Sequence, residues 1–197
     1  MNGVSVPPEL VTRLIAYFEL LAAWNRKMNL AGFSLNPPSD QAVDRLFVEP
    51  LLVAPALSHG GGMVDLGSGG GSPAIPLALA ISPTALTLVE ARARKAVFLK
   101  EALRLVQLSK LADVQNRRVE DLALDGGFAA RFDLLTVRAL RLEDEAIAAM
   151  NWLLRPGGTA VLFVKKTLAD RGFRGLLLER KVPLIDAGDC AAVFTRQ

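Results

Sequence analysis

The sequence predicts an α/β domain built on a doubly wound, mostly parallel sheet and preceded by a helical extension. Three observations carry this expectation. From Met63 onward short apolar runs alternate with helical patterns, a glycine-rich segment follows the first of those runs, and the residues before it show only helical periodicity. A chain of 197 residues with 51% hydrophobic composition can close one sizeable core but is too short for two full α/β domains. Residues 1–62 are therefore expected to form an extension packed on a core at residues 63–197, as one structural domain.

In chain order, Pro7 and Pro8 precede a segment in which Leu10, Leu14, Tyr17, Phe18, Leu21, Trp24 and Met28 recur three or four residues apart. That spacing predicts an amphipathic helix opened by the prolines. Gly32 and Asn36-Pro37-Pro38-Ser39 end it, and a second helical stretch is expected from about Asp40 to Leu57, divided by Pro50 and Pro55. His59-Gly60-Gly61-Gly62 reads as a connector, with His59 an exposed loop histidine. Strands are then expected at Met63–Leu66, Ala85–Val89, Ala112–Gln115, Phe132–Val137 and Thr159–Val164, with helices at about Pro73–Ile81, Arg94–Leu108 and Glu143–Leu154. Pro156-Gly157-Gly158 should stop the last of these helices. Strict alternation implies right-handed βαβ crossovers. Beyond it, Leu168–Arg180 looks helical, and Val182–Ile185 with Ala191–Thr195 are candidates for an antiparallel edge pair.

No apolar run approaches the roughly 18 to 20 residues that span a bilayer, and Met1–Leu10 lacks a basic start followed by an apolar stretch, so a cytoplasmic protein is expected. With Cys190 the only cysteine and His59 the only histidine, neither a disulfide framework nor a Cys/His zinc site can be assembled, and no metal is expected. Cys190 has no histidine nearby in sequence to act as its base and reads as a small edge-strand residue. Trp24 can stack on an unpaired base, but its spacing with Tyr17, Leu21 and Met28 favours core packing. The net charge of +3 is small yet unevenly spread. Arg92–Arg118 holds eight basic residues against Glu101 and Asp113, and Lys165–Gln197 holds seven against four acids. Either stretch can line a phosphate-binding face or form a solvated helix surface.

The most informative stretch is VDLGSGGGSPAIPLALA, residues 64–80. Gly67, Gly69, Gly70 and Gly71 follow a strand and open a helix, where an open α/β sheet receives a nucleotide-like ligand. A dinucleotide fingerprint needs glycine where Ser72 stands, and Asp65 lies two residues before the first glycine. Glu90, 25 residues after Asp65, ends the second strand and can accept both hydroxyls of a ribose. These acids suit S-adenosylmethionine, which carries a ribose, an ammonium and a sulfonium but no phosphate. A nicotinamide dinucleotide and a purely structural turn are the competing readings.

With those residues in place, the chain resembles the ribosomal RNA small-subunit methyltransferase G family, also called glucose-inhibited division protein B. The resemblance rests on WNRKMNLAG (24–32), DLGSGGGSPAIPLA (65–78), LVEARARKAVFLKEA (88–102), QNRRVEDL (115–122), LLTVRAL (134–140) and FVKK (163–166). It implies a Rossmann-like class I methyltransferase fold that uses S-adenosylmethionine, with Gly67, Ser72, Val119, Glu120 and Arg138 as cofactor contacts beside Asp65, Gly69, Gly71 and Glu90. The family usually has a large apolar residue at the Ser72 position and glycine at the Ala74 position. It usually has Arg-His-x-x-Asp-Ser where this chain reads Arg45-Leu46-Phe47-Val48-Glu49-Pro50, and often glycine where Lys166 stands.

The resemblance further implies methyl transfer to guanine N7 in 16S rRNA, with naked RNA or the small ribosomal subunit as partner and no membrane. N7 carries an exposed lone pair, so positioning and electrostatics can suffice for catalysis. Arg138 or Lys165 is expected to donate to guanine O6, Arg138 alternatively being paired with an acid such as Asp65. A monomer is expected, since a ribosomal particle needs an open cleft mouth. A small-molecule methyltransferase and a non-catalytic RNA-binding or assembly protein with a relic pocket are the alternatives.

Overall fold

The computed structural model describes residues 6–58 and 60–197, so the expectation for His59 lies outside the described residues. Helix α1 spans Pro8–Asn25 and buries Leu14, Tyr17 and Leu21, one stripe at three- and four-residue spacing. Next come α2 (Asp40–Val43), a π-turn (Asp44–Val48), α3 (Glu49–Val53) and a 3₁₀ turn (Ala54–Ala56). The core alternates β1 (Gly62–Leu66), α4 (Ala74–Ile81), β2 (Ala85–Val89), α5 (Ala93–Leu105), β3 (Ala112–Gln115), α6 (Val119–Ala123), β4 (Phe132–Arg138), α7 (Asp144–Leu153) and β5 (Leu154–Lys165). It closes with α8 (Lys166–Ala169), β6 (Leu176–Pro183) and β7 (Asp189–Arg196).

Among the described residues the strands form one seven-stranded sheet in the order β3-β2-β1-β4-β5-β7-β6. Strands β1 to β5 pair in parallel, whereas β7 is antiparallel to both β5 and β6. The order reverses between β1 and β4, and the carboxyl ends of those two strands flank the crevice where such sheets bind ligands.

Two-residue alternation decides what each face carries. Met63, Leu134, Val161, Phe163 and Val193 pack with α1, α3, α4 and α5, while Val64, Leu66, Leu135, Leu162 and Phe194 pack with α6 and α7. By the same alternation Asp65, Arg138, Lys165 and Asp189 lie on the face that the N-terminal helices cover. Helix α4 is apolar all round and is buried on nearly all sides, because α1 and α3 cover the flank turned away from the sheet.

Several elements differ from expectation. Leu168–Arg180 is not a helix: α8 stops at Ala169, Gly172 and Gly175 adopt positive φ, and Leu176–Pro183 extends as the edge strand because it finds a partner in β7. Strand β5 begins at Leu154, so Pro156-Gly157-Gly158 lies inside an irregular strand and is not the helix stop, with a register shift opposite Phe132–Leu134. Cys190 is fully buried in β7, an interior strand and not an edge. Trp24 packs edge-on against Phe98 at 5.7 Å. Among the described residues no helix is long and apolar enough to cross a membrane.

Candidate functional site

A cavity of about 580 Å³ opens at the carboxyl edge of the sheet. Following the strand order from β3 towards β4, its wall passes from Arg117, Arg118, Val119 and Glu120 to Glu90 and Arg92, then to Gly67–Gly70, and ends at Arg138–Leu140. The N-terminal extension closes it with Leu30–Phe33 on one side and Arg45 and Leu46 on the other.

The glycine segment turns sharply because Gly67, Gly69 and Gly71 hold positive φ, which L side chains adopt only under strain. Gly67 and Gly69 face the cavity, whereas Gly71 faces inward, where an added Cβ would lie 2.7 Å from Ile75 Cδ1 and 3.0 Å from the Tyr17 hydroxyl. Gly70 leaves room for the Leu30 carbonyl, which would sit 2.9 Å from a Cβ there. The fully buried Tyr17 donates its hydroxyl to the Gly70 carbonyl, so α1 pins the loop from behind. Asn25, one turn past the end of the Tyr17 and Leu21 stripe, fixes the opposite wall. Its Oδ1 accepts from the Leu30 and Ala31 amides at 2.8 and 3.0 Å.

Glu90 is 7% exposed and faces the cavity. Its carboxylate accepts from the amides of Gly69 at 2.9 Å and Arg92 at 2.8 Å, which orient it and leave lone pairs for further donors. Asp65 is also buried but does not line the cavity. It accepts from Thr136 Oγ1 at 2.5 Å across the β1–β4 register. Burial pushes its carboxyl up to about 6, against the hydrogen bonds from Thr136 and Ser68. A direct ligand contact from Asp65 is therefore not what the geometry presents; its charge acts from beneath the loop.

Arg138 ends β4 and lines the cavity, yet its acid partner is Glu49 and not Asp65. Nη2 lies 3.0 Å from Glu49 Oε2, Nη1 donates to the Arg45 carbonyl, and the guanidinium lies 4.2 Å from the Phe163 ring centroid. Burial draws its pKa down to about 10 against the pull of Glu49. Burial likewise raises the Glu49 carboxyl, opposed by Arg138 and Arg45. Ser72 lines the cavity while its hydroxyl donates to the Leu46 carbonyl at 2.9 Å. Lys165 ends β5 but does not reach the cavity lining, because Nζ pairs with Asp189 at 2.7 Å, its register partner on β7, and with Asp186 at 3.8 Å. An O6-donating role for Lys165 is not supported by that placement.

The π-turn explains two of these contacts. The Glu49 amide donates to the Asp44 carbonyl, five residues back, and Pro50 has no N–H to give. The carbonyls of Arg45 and Leu46 are thereby freed and are satisfied by Arg138 and Ser72. Sequence reasoning missed Tyr17, Asn25, Arg45 and Glu49 as site-forming residues. The signals were present in the Trp-Asn pair inside a conspicuous motif and in a proline placed within a helical pattern.

Comparison with known proteins agrees with this geometry. Among solved structures, the putative methyltransferase YhhF from Escherichia coli superposes with a TM-score of 0.58 at 16% identity, over 74% of this chain and 81% of that one. M. jannaschii TYW2 in complex with AdoMet gives 0.52 at 17% identity, over 76% and 75%. These likenesses establish the class I methyltransferase fold. Among curated relatives, the ribosomal RNA small subunit methyltransferase G of Xanthomonas axonopodis pv. citri is 39% identical over 159 residues, covering 81% of this chain and 71% of the relative. That of Coxiella burnetii is 31% identical over 173 residues, covering 88% and 80%. The model of the GidB family, described as rRNA small subunit methyltransferase G, matches residues 11–171, and with it the chain belongs to that family.

Proposed function

We propose that this chain is an S-adenosylmethionine-dependent methyltransferase acting on N7 of a guanine in 16S rRNA, as a monomer in the cytoplasm. The observation that carries the reading is the pairing of a side-chain-free glycine wall with the inward carboxylate of Glu90. The residues fit the cofactor. Val89 and Val119 offer apolar contact to an adenine ring, Glu90 accepts from ribose hydroxyls, and Gly67 and Gly69 allow close backbone approach. When bound, S-adenosylmethionine supplies a sulfonium methyl that a purine N7 lone pair takes with no proton to remove first.

The chain's own residues then bind, orient and exclude water. Glu90 is held at two oxygens before a ribose arrives, so little reorganisation accompanies binding. Tyr17 and Asn25 keep both walls apart at the width the glycines set. Arg92, Lys95 and Arg118 rim the cavity and make no ion pair with described residues, which leaves them for the phosphates of a polyanion.

Glu90→Gln is expected to weaken S-adenosylmethionine and its demethylated product alike, since both retain the ribose. Calorimetry with each ligand checks this, and selective loss of one contradicts the assignment. The acceptor is tested by offering methyl-labelled cofactor with naked 16S rRNA, intact small subunits and small-molecule acceptors, then mapping the product. Label confined to small acceptors would refute the RNA reading. On the exposed face of α5, Arg94→Ala and Lys100→Ala should each lower the log-log salt slope of RNA binding by about 0.7 to 0.9 if they touch phosphate, with cofactor affinity unchanged. An unchanged slope makes that face a solvated surface only.

A further inference from the structure

Arg45 occupies the π-turn and lines the cavity beside Arg138, at the end opposite the Val119–Glu120 wall. Two buried carboxylates hold it, one from the next helical turn and one from β7 at the far end of the chain. Nη1 lies 2.5 Å from Asp189 Oδ2 on β7 and 3.7 Å from Glu49 Oε1. Asp189 stays below the usual carboxylate range although burial works to raise it, because Lys165 and Arg45 both bond to it. The Arg45 side chain remains 29% exposed, so one face of a fixed guanidinium is open to the cavity. Arg138, its neighbour, has a buried Nε with no hydrogen-bond partner among the described residues, and Glu49 Oε1, though ion-paired with Arg45, likewise accepts no hydrogen bond among them. Buried polar atoms are seldom left so, and they lie together at this one place.

The π-turn is what makes the arrangement. In a regular helix the Arg45 carbonyl would be taken up by the helix itself; here it accepts from Arg138, so the Arg138 side chain is anchored to the backbone of the turn that carries Arg45. Their charges are balanced behind the cavity, where Glu49, Asp189 and Asp186 face Arg45, Arg138 and Lys165.

Resting on the acceptor proposed above, we infer that Arg45, backed by Arg138, forms a subsite for the O6 edge of the acceptor purine. The Hoogsteen edge of guanine offers two acceptors, N7 and O6. N7 must stay free for the methyl, so O6 is the atom left for a donor. Adenine presents an amino group at that position and would face the guanidinium donor to donor. Arg45 thus selects the base by an interaction that does not involve the reacting atom. Lys165, which lacks access, contributes by helping hold Asp189 in place.

The test uses small subunits assembled with RNA that carries, at the mapped methylation position, either guanosine or the riboside of 2,6-diaminopurine. The analogue keeps N7 and replaces O6 with an amino group. The wild-type chain is expected to prefer guanosine in kcat/KM by about ten-fold or more. Arg45→Gln, whose amide can donate or accept, should bring that ratio close to one, with the dissociation constant for S-adenosylmethionine unchanged. Arg45→Lys keeps the ion pairs and should retain the preference in reduced form, which preserves the test if the glutamine variant folds poorly. A ratio unchanged in both variants, even with lower activity, overturns the inference and leaves Arg45 a structural residue. A weakened cofactor with an intact ratio overturns it too, assigning Arg45 to the methionine carboxylate. A wild-type chain that methylates no guanine at all would instead refute the underlying reading of the acceptor.

Discussion

Glu49→Ala is expected to lower the stability of the folded chain by about 3 to 5 kcal/mol, because it removes the counter-charge of a buried arginine. Glu49 is 0% exposed and is the acidic partner of Arg138, whose side chain is 12% exposed and already has its pKa drawn down by burial. Without the carboxylate, Arg138 would remain in a low-dielectric position held by one backbone carbonyl and the Phe163 ring. Urea denaturation measures the loss directly. A second comparison separates the lost charge from lost packing: combining Glu49→Leu with Arg138→Met should recover much of the stability, since an apolar pair of similar volume carries no desolvation cost. A loss below about 1 kcal/mol in Glu49→Ala would place the pair among solvent-screened ones. The same variant should loosen the π-turn, as Arg138 no longer anchors the Arg45 carbonyl against an acid.

Cofactor affinity is expected to rise with pH through about 6 and to lose that dependence in Asp65→Asn. The buried carboxyl titrates near 6 in the ligand-free chain, its ionised form being disfavoured chiefly by burial. A ligand bearing an ammonium and a sulfonium favours the carboxylate, so binding expels a proton below that pH and needs none removed above it. Folding stability runs the other way. A carboxyl whose folded pKa is raised binds protons more tightly folded than unfolded, so its contribution is full below the unfolded value of 3.8 and is lost as pH climbs through about 6. The two slopes of opposite sign belong to one residue. Asp65→Asn keeps an acceptor for Thr136 and removes the charge, and should weaken S-adenosylmethionine by about 1 to 2 kcal/mol at pH 8 through loss of a through-space attraction, with little difference at pH 5. Calorimetry across that range, in buffers of different ionisation enthalpy, reads both the affinity and the proton release. A variant that keeps the wild-type pH slope would exclude Asp65 as its source.

Much of this molecule is written in local pattern. The alternation that begins at Met63 places five parallel strands, the glycines place the turn after the first, and Glu90 is readable as the acid at the end of the second, because period-2 and period-3.6 signals are strong where both faces of a sheet are covered. The family motifs carried the fold class and cofactor in the same way, as contiguous strings. Leu168–Arg180 was misleading for a related reason. Three consecutive leucines after two glycines satisfy a helical window as readily as an edge strand, and only the presence of β7 alongside tips the balance.

The sequence by itself therefore determined the five parallel strands, the glycine crevice and the chemical type of ligand, which depend on local patterns, whereas the edge strand β6 escaped it. Tertiary structure alone decided how that crevice is walled. Tyr17 meets Gly70, Arg45 meets Asp189 and Glu49 meets Arg138 across separations of 53, 144 and 89 residues. No periodicity encodes such pairs, since each arises where the extension crosses the edge of the sheet at which β1 and β4 end and the antiparallel β7 begins. Lys165 shows the converse. It stands at the strand end where sequence expects it, but its ammonium goes to Asp189, because a charge on a crowded sheet edge takes the nearest buried carboxylate before it can reach a cavity one strand away.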